Sequence, residues 1–470
     1  LVRSNWGYAL LVAVTLLSPV VRAESRRPLI TVDAARTIGT IKPLQDVGEG
    51  PLLMRGSVDE TPYYQALGVK YVRLHDVPWV YDNVQDTNYV FPNDSADSAK
   101  PESYDFALTD HYIESMTSVG VEVIYRLGYS SEDYVPEPLR HVQPPRSYEK
   151  WTEVAAHIVE HYDKEWVGGP RRPIKYWEIW NEPDNTSFWT GTAEQYFRLY
   201  DMVAKRLKGI DPTLKVGGPA LAGHVQFLED FLKYCRDHRS PLDFVSWHSY
   251  AGRPEDAATA GRQVHELMQR YGYGDAQSIL DEWNYDLTSF TPREDRPGAP
   301  YVPGGTQKYY EITRSAFGAA FDASVLIALQ DASVDIATFY TGTNMFMGLF
   351  SYAGDPTKAY YAFLAFRRLL DSPERIPVEG AGERLKVLAG RSVDNKSVRV
   401  LLAYTGNDPY EFDLRLSGLP WDGAGIEKLQ TIDGRAKAMT LSQAKPPSNG
   451  DLRHIRFGGP TVQLITVQAP

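Results

Sequence analysis

Lys175-Tyr176-Trp177-Glu178-Ile179-Trp180-Asn181-Glu182-Pro183-Asp184 decides how the whole chain is read. The run from Lys175 to Trp180 is rich in aromatic and β-branched side chains, which suit a strand. Pro183 cannot donate to a ladder, so the strand stops and the chain turns. Asn181 and Glu182 are thereby set at the carboxyl end of a strand. In an α/β barrel that end displays the reactive side chains. A carboxyl group there, beside an amide and among large rings, suits chemistry on a sugar. The ring faces can stack on it, and burial can raise a Glu pKa so that it keeps its proton.

Ser278-Ile279-Leu280-Asp281-Glu282-Trp283-Asn284 repeats the pattern: an apolar strand ends in an acid flanked by Trp and Asn. Taken singly, either Glu reads equally well as a solvated residue at a loop mouth. Two such ends in one chain fit the paired-carboxylate chemistry of glycoside hydrolysis.

With Asn181-Glu182-Pro183 after a fourth strand and Glu282 after a seventh, the chain resembles the clan A glycoside hydrolases, which are retaining barrel enzymes. Its wider context is similar to family 39, the β-xylosidases and α-L-iduronidases. Val72-Arg73-Leu74-His75 resembles that family's second strand and Trp247-His248-Ser249-Tyr250 its sixth. Thr31-Val32-Asp33-Ala34-Ala35-Arg36 resembles the opening strand of the iduronidase branch. The likeness runs from about residue 30 to about residue 370. It implies Glu182 as proton donor and Glu282 as nucleophile, roles that spacing alone does not assign. It also implies that Asn181 meets the sugar 2-hydroxyl.

Composition narrows the alternatives. At 470 residues the chain holds a barrel of about 250 to 350 residues plus a small domain. A net charge of −11 and the lack of any basic run argue against a nucleic-acid partner. Thirty Tyr and ten Trp suit a surface that meets flat sugar faces, although any single ring is more simply core. Cys235 is the lone cysteine, so no intrachain disulfide forms; its helical surroundings predict a buried structural thiol. Residues 1–23 read as a signal peptide: Arg3, an apolar run from Tyr8 to Leu17, then Val21-Arg22-Ala23. They predict a secreted or periplasmic protein with no stable membrane span after cleavage, since the run is too short to cross a bilayer.

Strand-like runs alternate with helical patterns. The strands are expected near Asp46–Leu53 and at Val69–His75, Val121–Gly128, Lys175–Asn181, Leu214–Gly218, Leu242–Ser249, Ser278–Trp283 and Ile336–Tyr340. Eight is the number that closes a TIM (β/α)8 barrel. An open doubly wound sheet would want a Gly-rich turn opening a helix after the first strand, and Gly48-Glu49-Gly50 opens none. Helices are expected at Tyr148–His161, Ala193–Lys208, Val225–Asp237, Gly261–Tyr271 and Lys358–Leu370. Beyond Asp371-Ser372-Pro373 short β-rich runs separated by Gly, Pro, Asn and Asp predict a C-terminal β-sandwich domain. The expected division is 1–23 signal peptide, 24–44 a strand segment joining the sandwich, 45–372 the barrel and 373–470 the sandwich. The Pro- and Gly-rich loop Thr288–Gly305 follows strand seven and should overhang the site.

The remaining site residues follow from strand parity. His248 and Tyr250 share a face, so Tyr250 could donate to Glu282 and His248 could touch a sugar hydroxyl. A satisfied core histidine is the plainer reading of His248 alone. His75 ends strand two as a sugar contact. Arg73, on the same face, either pairs with a carboxylate of the site or is structural. Asn284 is an outer contact. Many clan A barrels end strand eight with a Trp that floors the sugar; here Phe339 or Tyr340 stands instead, with Tyr340 as the candidate contact. No His-Glu-x-x-His, Cys-x-x-Cys, EF-hand, P-loop or Gly-x-Ser-x-Gly pattern occurs, so neither metal nor cofactor is expected.

The expected function is an exported retaining exo-glycosidase acting on an oligosaccharide or glycoside, with β-D-xylosides first. A uronic acid or arabinose glycosidase is the alternative within the class. A non-catalytic carbohydrate-binding protein is the alternative outside it. Oligomeric state is not legible.

Overall fold

A computed structural model of the chain describes residues 27–51, 58–78, 81–132, 139–286, 305–423, 425–444 and 450–470. Eight parallel strands close a barrel: Asp46–Gly48, Tyr71–Leu74, Glu122–Leu127, Tyr176–Ile179, Lys215–Leu221, Phe244–Ala251, Gln277–Tyr285 and Ile336–Phe339. Each pairs with the next, and Ile336–Phe339 pairs with Asp46–Gly48 to complete the circle, which excludes the open sheet. The first strand is short, ending at Gly48. Leu52 and Leu53 of the expected longer strand lie outside the described residues, as do residues 1–23 and the Thr288–Gly305 loop apart from Gly305.

The crossover helices include Tyr148–Asp163, Ala193–Ile210, Val225–His238 and Pro254–Tyr271. Thr192 and Gln195 form a reciprocal capping box that fixes where the second of these begins. The last begins before the expected Gly261. Pro254 occupies its first turn, where a missing N–H costs nothing, and Glu255 and Asp256 favour the positive end of the helix dipole.

The barrel interior is layered. Ile124, Tyr176, Phe244, Ile279 and Ile336 form an apolar floor with Tyr71 packed against it. Side chains on a strand return to the same face every second residue. The next inward layer is therefore Arg73, Arg126, Glu178, Ser246, Asp281 and Thr338, all buried and all polar. Above it the strand ends carry His75, Glu182, His248, Glu282 and Tyr340, also buried.

Outside the barrel, a four-stranded and a seven-stranded sheet follow. Leu29–Asp33 runs parallel to Tyr410–Ser417 and antiparallel to Val378–Glu379, while Gly39–Thr40 pairs with Glu374–Ile376. Ala316–Ala328 is an unusually apolar helix because it is covered on both sides. It packs on the barrel helices Pro254–Tyr271 and Lys358–Leu369 and on the sheet strands Ser397–Tyr404 and Thr461–Gln468. Among the described residues, no single helix is long and apolar enough to cross a membrane. Cys235 is fully buried on the helix Val225–His238, and burial pushes its thiol far up, beyond useful reactivity.

Candidate active site

The fourth strand delivers Glu182 through strained backbone. Trp180 and Glu182 both hold positive φ, 73° and 43°, which costs a non-glycine residue on the order of 1 kcal/mol each. Neighbouring chain fixes the turn: the Trp180 N–H donates to the Leu127 carbonyl and the Glu182 N–H to the Ala220 carbonyl. The Trp180 indole donates to the Phe188 carbonyl and packs edge-on against Trp189. The Glu182 carboxylate is then held at both oxygens. Asn185 Nδ2 donates to Oε2 at 2.6 Å, and His248 Nδ1 lies 2.8 Å from Oε1.

The seventh strand carries a bulge. Trp247 pairs with Leu280 but His248 pairs with Glu282, so Asp281 is the extra residue. Strict alternation would send Asp281 and Glu282 to opposite faces. The bulge lets both carboxyl groups reach the barrel interior, where both are buried. Tyr250 donates its hydroxyl to Glu282 Oε2 at 2.7 Å. On the other side Arg73 donates from Nη1 to Glu282 Oε1 at 2.6 Å.

Arg73 organises the polar layer. Its guanidinium also bonds Glu178 at 2.7 Å and Asn181 Oδ1 at 2.8 Å, and approaches Asp281 at 3.1 Å. Burial alone would weaken its charge, but Glu178, Asp281 and Glu282 outweigh that and hold its pKa well above the usual value. The same balance divides the carboxyl groups. Burial, opposed by Arg73, still raises Glu178, whereas Asp281 is lowered because Arg73 and His248 overcome its burial. His248 also stays charged: burial disfavours the cation, but Glu282 and Asp281 outweigh it, with Asp281 Oδ2 3.4 Å from Nε2. His75 goes the other way, pushed well down by burial with Arg126, Arg73 and His248 adding to it. It is a neutral imidazole beside a charged one.

All the residues singled out in the sequence are brought to this end of the barrel, but they are used differently. Asn181 has an unpartnered Nδ2 while its oxygen is held by Arg73, leaving a donor free for a substrate hydroxyl. His75 lies 3.8 Å from Glu282 Oε1, with no protein hydrogen bond to Nδ1. His248 is directed at carboxylates rather than left free for a sugar. Asn284 departs furthest from the expectation of a substrate contact. Its Nδ2 donates to the Tyr340 and Met347 carbonyls, and its oxygen accepts the Tyr285 N–H, so its amide is fully engaged with backbone. Of the two strand-eight rings, Phe339 packs away from the site against Trp283 and Phe363, whereas Tyr340 faces His75 and Tyr250.

Glu178, Asp281, Asn185, Asp76 and Glu49 were not anticipated. Parity could have found Glu178, two residues beyond the inward Tyr176. Glu49 follows the first strand at positive φ and is wholly buried with no hydrogen bond to either carboxyl oxygen. Burial and the nearby Asp76 and Glu282 charges raise its pKa well above the ordinary range.

The oxygens of Glu182 and Glu282 are close. Among the described residues, Glu182, His248 and Glu282 each offer an atom within 4.8 Å of the others, the one grouping able to hold a metal ion. His248 Nδ1 already stands there, 2.8 Å from Glu182 Oε1 and 3.5 Å from Glu282 Oε2.

Comparison with known proteins gives a consistent result. The family model described as glycosyl hydrolases family 39 matches residues 29–283. A β-xylosidase of Caldicellulosiruptor saccharolyticus is 29% identical over 351 residues, covering 67% of this chain and 64% of that protein. The chain thus spans just under two thirds of that curated relative. A crystal structure of a glucosidase from Croceicoccus marinus superposes with a TM-score of 0.72 at 25% identity, covering 94% of this chain and 99% of that one. A family 39 enzyme from Xanthomonas axonopodis pv. citri gives 0.69 at 19% identity, covering 97% and 100%, which speaks for the fold.

Proposed function

Since the chain belongs to glycosyl hydrolases family 39, we propose that it is a retaining glycosidase removing terminal neutral sugars, β-D-xylose first, by double displacement. Glu182 protonates the leaving oxygen and later activates water, and Glu282 attacks the anomeric carbon. The observation that carries this reading is the approach of the Glu182 and Glu282 oxygens to within 4.8 Å. Retaining enzymes keep their two carboxyl groups about 5–5.5 Å apart, whereas inverting enzymes leave about 6.5–9.5 Å for a water. Tyr250 and Arg73 each donate to Glu282, which favours its ionised, attacking form. The sugar preference draws on the β-xylosidase relative. Export through residues 1–23, to the periplasm or beyond, is part of the same proposal.

Proton NMR of the first turnovers of an aryl β-xyloside tests the mechanism. The β anomer of xylose should appear first. Initial release of the α anomer would mean inversion and would overturn the assignment. A 2-deoxy-2-fluoro xyloside should leave its mass on the peptide bearing Glu282.

A further inference from the structure

Asp76 follows His75 at the end of the second strand, in left-handed backbone with φ 51°. Glycine would hold that conformation at less cost, so an aspartate there points to a use for its side chain. The carboxylate is clamped in one orientation. The Ser131 N–H donates to Oδ1 at 2.7 Å and the Tyr340 hydroxyl to Oδ2 at 2.8 Å. Its own N–H donates to Ser130 Oγ at 3.1 Å. Each carboxylate oxygen accepts a second hydrogen bond, so both retain capacity. Unlike the sealed Glu178 and Asp281, this side chain is 20% exposed.

Its position relative to Glu282 gives that capacity a direction. His75 Nε2 lies 3.6 Å from Asp76 Oδ1 and 3.8 Å from Glu282 Oε1, so one neutral imidazole stands between the two carboxylates. His75 is buried and its Nδ1 has no partner. A pyranose seated with its anomeric carbon on Glu282 and its ring along this imidazole would bring its far hydroxyls to Asp76. Adjacent equatorial hydroxyls donate well to the two oxygens of one fixed carboxylate.

We propose that Asp76 is the specificity-determining residue of the glycone pocket, accepting hydrogen bonds from the 3- and 4-hydroxyls of a neutral pyranoside. The inference rests on the glycosidase reading above and adds to it the group that recognises the sugar. Burial raises the Asp76 carboxyl to about 6, restrained by the Ser131 and Tyr340 bonds, so near neutral pH it only accepts. A substrate carboxylate brought to the same place would meet a second negative charge.

The test crosses two deletions, one in the protein and one in the sugar. Wild type, Asp76→Asn and Asp76→Ala are each assayed on an aryl β-xyloside and on its 3-deoxy and 4-deoxy analogues. Loss of a hydrogen bond to a charged acceptor should lower wild-type kcat/KM by roughly 10- to 100-fold for at least one analogue. Each variant should lose a similar factor on the parent sugar, mostly in KM. That same analogue should then cost Asp76→Ala less than about threefold, because the partner is already gone, and should cost Asp76→Asn clearly less than it costs wild type, because only a neutral acceptor remains. A purely structural Asp76 would instead leave the two losses multiplicative for both analogues, and that result overturns the proposal. Asp76→Asn keeps size and an acceptor, and carries the test if Asp76→Ala does not fold. A wild-type chain that hydrolyses no aryl glycoside removes the glycosidase reading and this inference with it. An active wild type with multiplicative losses removes this inference alone.

Discussion

His248 Nδ1 lies 2.8 Å from Glu182 Oε1 and 3.5 Å from Glu282 Oε2, so one ring nitrogen stands against both carboxylates. Asp281 stands behind the ring and favours its cationic form. Under the proposed roles, the ring would hold the acid and the nucleophile at their spacing. Replacing His248 with Gln should lower kcat/KM for aryl β-xyloside by roughly 10²-fold, the order expected when reacting groups shift by about an ångström. Its near-ultraviolet circular dichroism should match wild type. A variant with full activity would show that the contact is incidental.

The two carboxylates should separate by leaving group. Glu182→Ala is expected to slow substrates with poor leaving groups by roughly 10²–10⁴-fold, the usual contribution of general acid catalysis. An activated aryl group needs little protonation, so its glycosylation step should be far less affected. Glu282→Ala should abolish turnover of both. Normal activity in the Glu282 variant would sink the assignment.

Arg73 is the counter-charge for a buried acidic layer. It is 1% exposed and contacts Glu178, Asp281 and Glu282. Removing one member of such a group strands the others without compensation, which typically costs about 3–5 kcal/mol. Arg73→Met should lose about that much in urea unfolding, along with activity. A loss under about 1 kcal/mol would mean that the carboxyl groups simply take up protons, and the ion-pair account would fall.

Strand periodicity made the barrel legible, and both Glu-bearing strand ends stood out because Trp, Asn and Pro surround them. The bulge did not, since nothing in Leu280-Asp281-Glu282 signals an extra residue, and without it Glu282, one residue past the inward Asp281, faces outward. Asn185 and Asp76 sit in turns, where no period applies. In the C-terminal sheets, Thr440–Ala444 is largely exposed and Leu452–Phe457 only half alternates, so neither strand shows a clean buried face in its sequence. The Ala316–Ala328 helix escaped notice because it is apolar all round and so lacks an amphipathic stripe.

Asp46, at the start of the first strand, should make stability fall as pH rises. Its Oδ1 accepts the Lys70 and Tyr71 N–H groups, yet burial raises its carboxyl to about 7. The folded state thus holds a proton that the unfolded chain releases near pH 4. Its contribution is complete below that value and is lost as pH climbs to about 7, up to roughly 4 kcal/mol. Asp46→Asn keeps the acceptor and removes the ionisation. It should raise the urea midpoint at pH 8 while leaving that at pH 4 nearly unchanged. Equal effects at both pH values would count against a buried, protonated Asp46.

A uronic acid substrate would bring a carboxylate that calls for an accessible Arg or Lys, and the two arginines of the barrel's polar layer, Arg73 and Arg126, are both sealed from solvent. Arg73 is surrounded by acids, and Arg126 bonds Asp86 and Ser130 through Nη2, its Nε and Nη1 being buried without a partner. Arg314 donates to the Met345, Phe346 and Phe350 carbonyls, so it holds the segment after strand eight rather than a ligand. Between Thr341 and Thr357 there is no Lys or Arg. Tyr250 occupies the position two residues after strand-six His248 where the iduronidase branch has Lys, and its hydroxyl donates to Glu282. Arg253 is exposed and paired with Asp256, while Arg293 and Arg296 lie outside the described residues. Aryl β-xyloside should therefore exceed aryl α-L-iduronide by at least tenfold in kcat/KM, about 1.4 kcal/mol in the transition state. Aryl α-L-arabinopyranoside, which shares most ring hydroxyl directions, should come second. A tenfold preference for the iduronide would overturn the neutral-sugar reading and direct attention to Arg293 and Arg296.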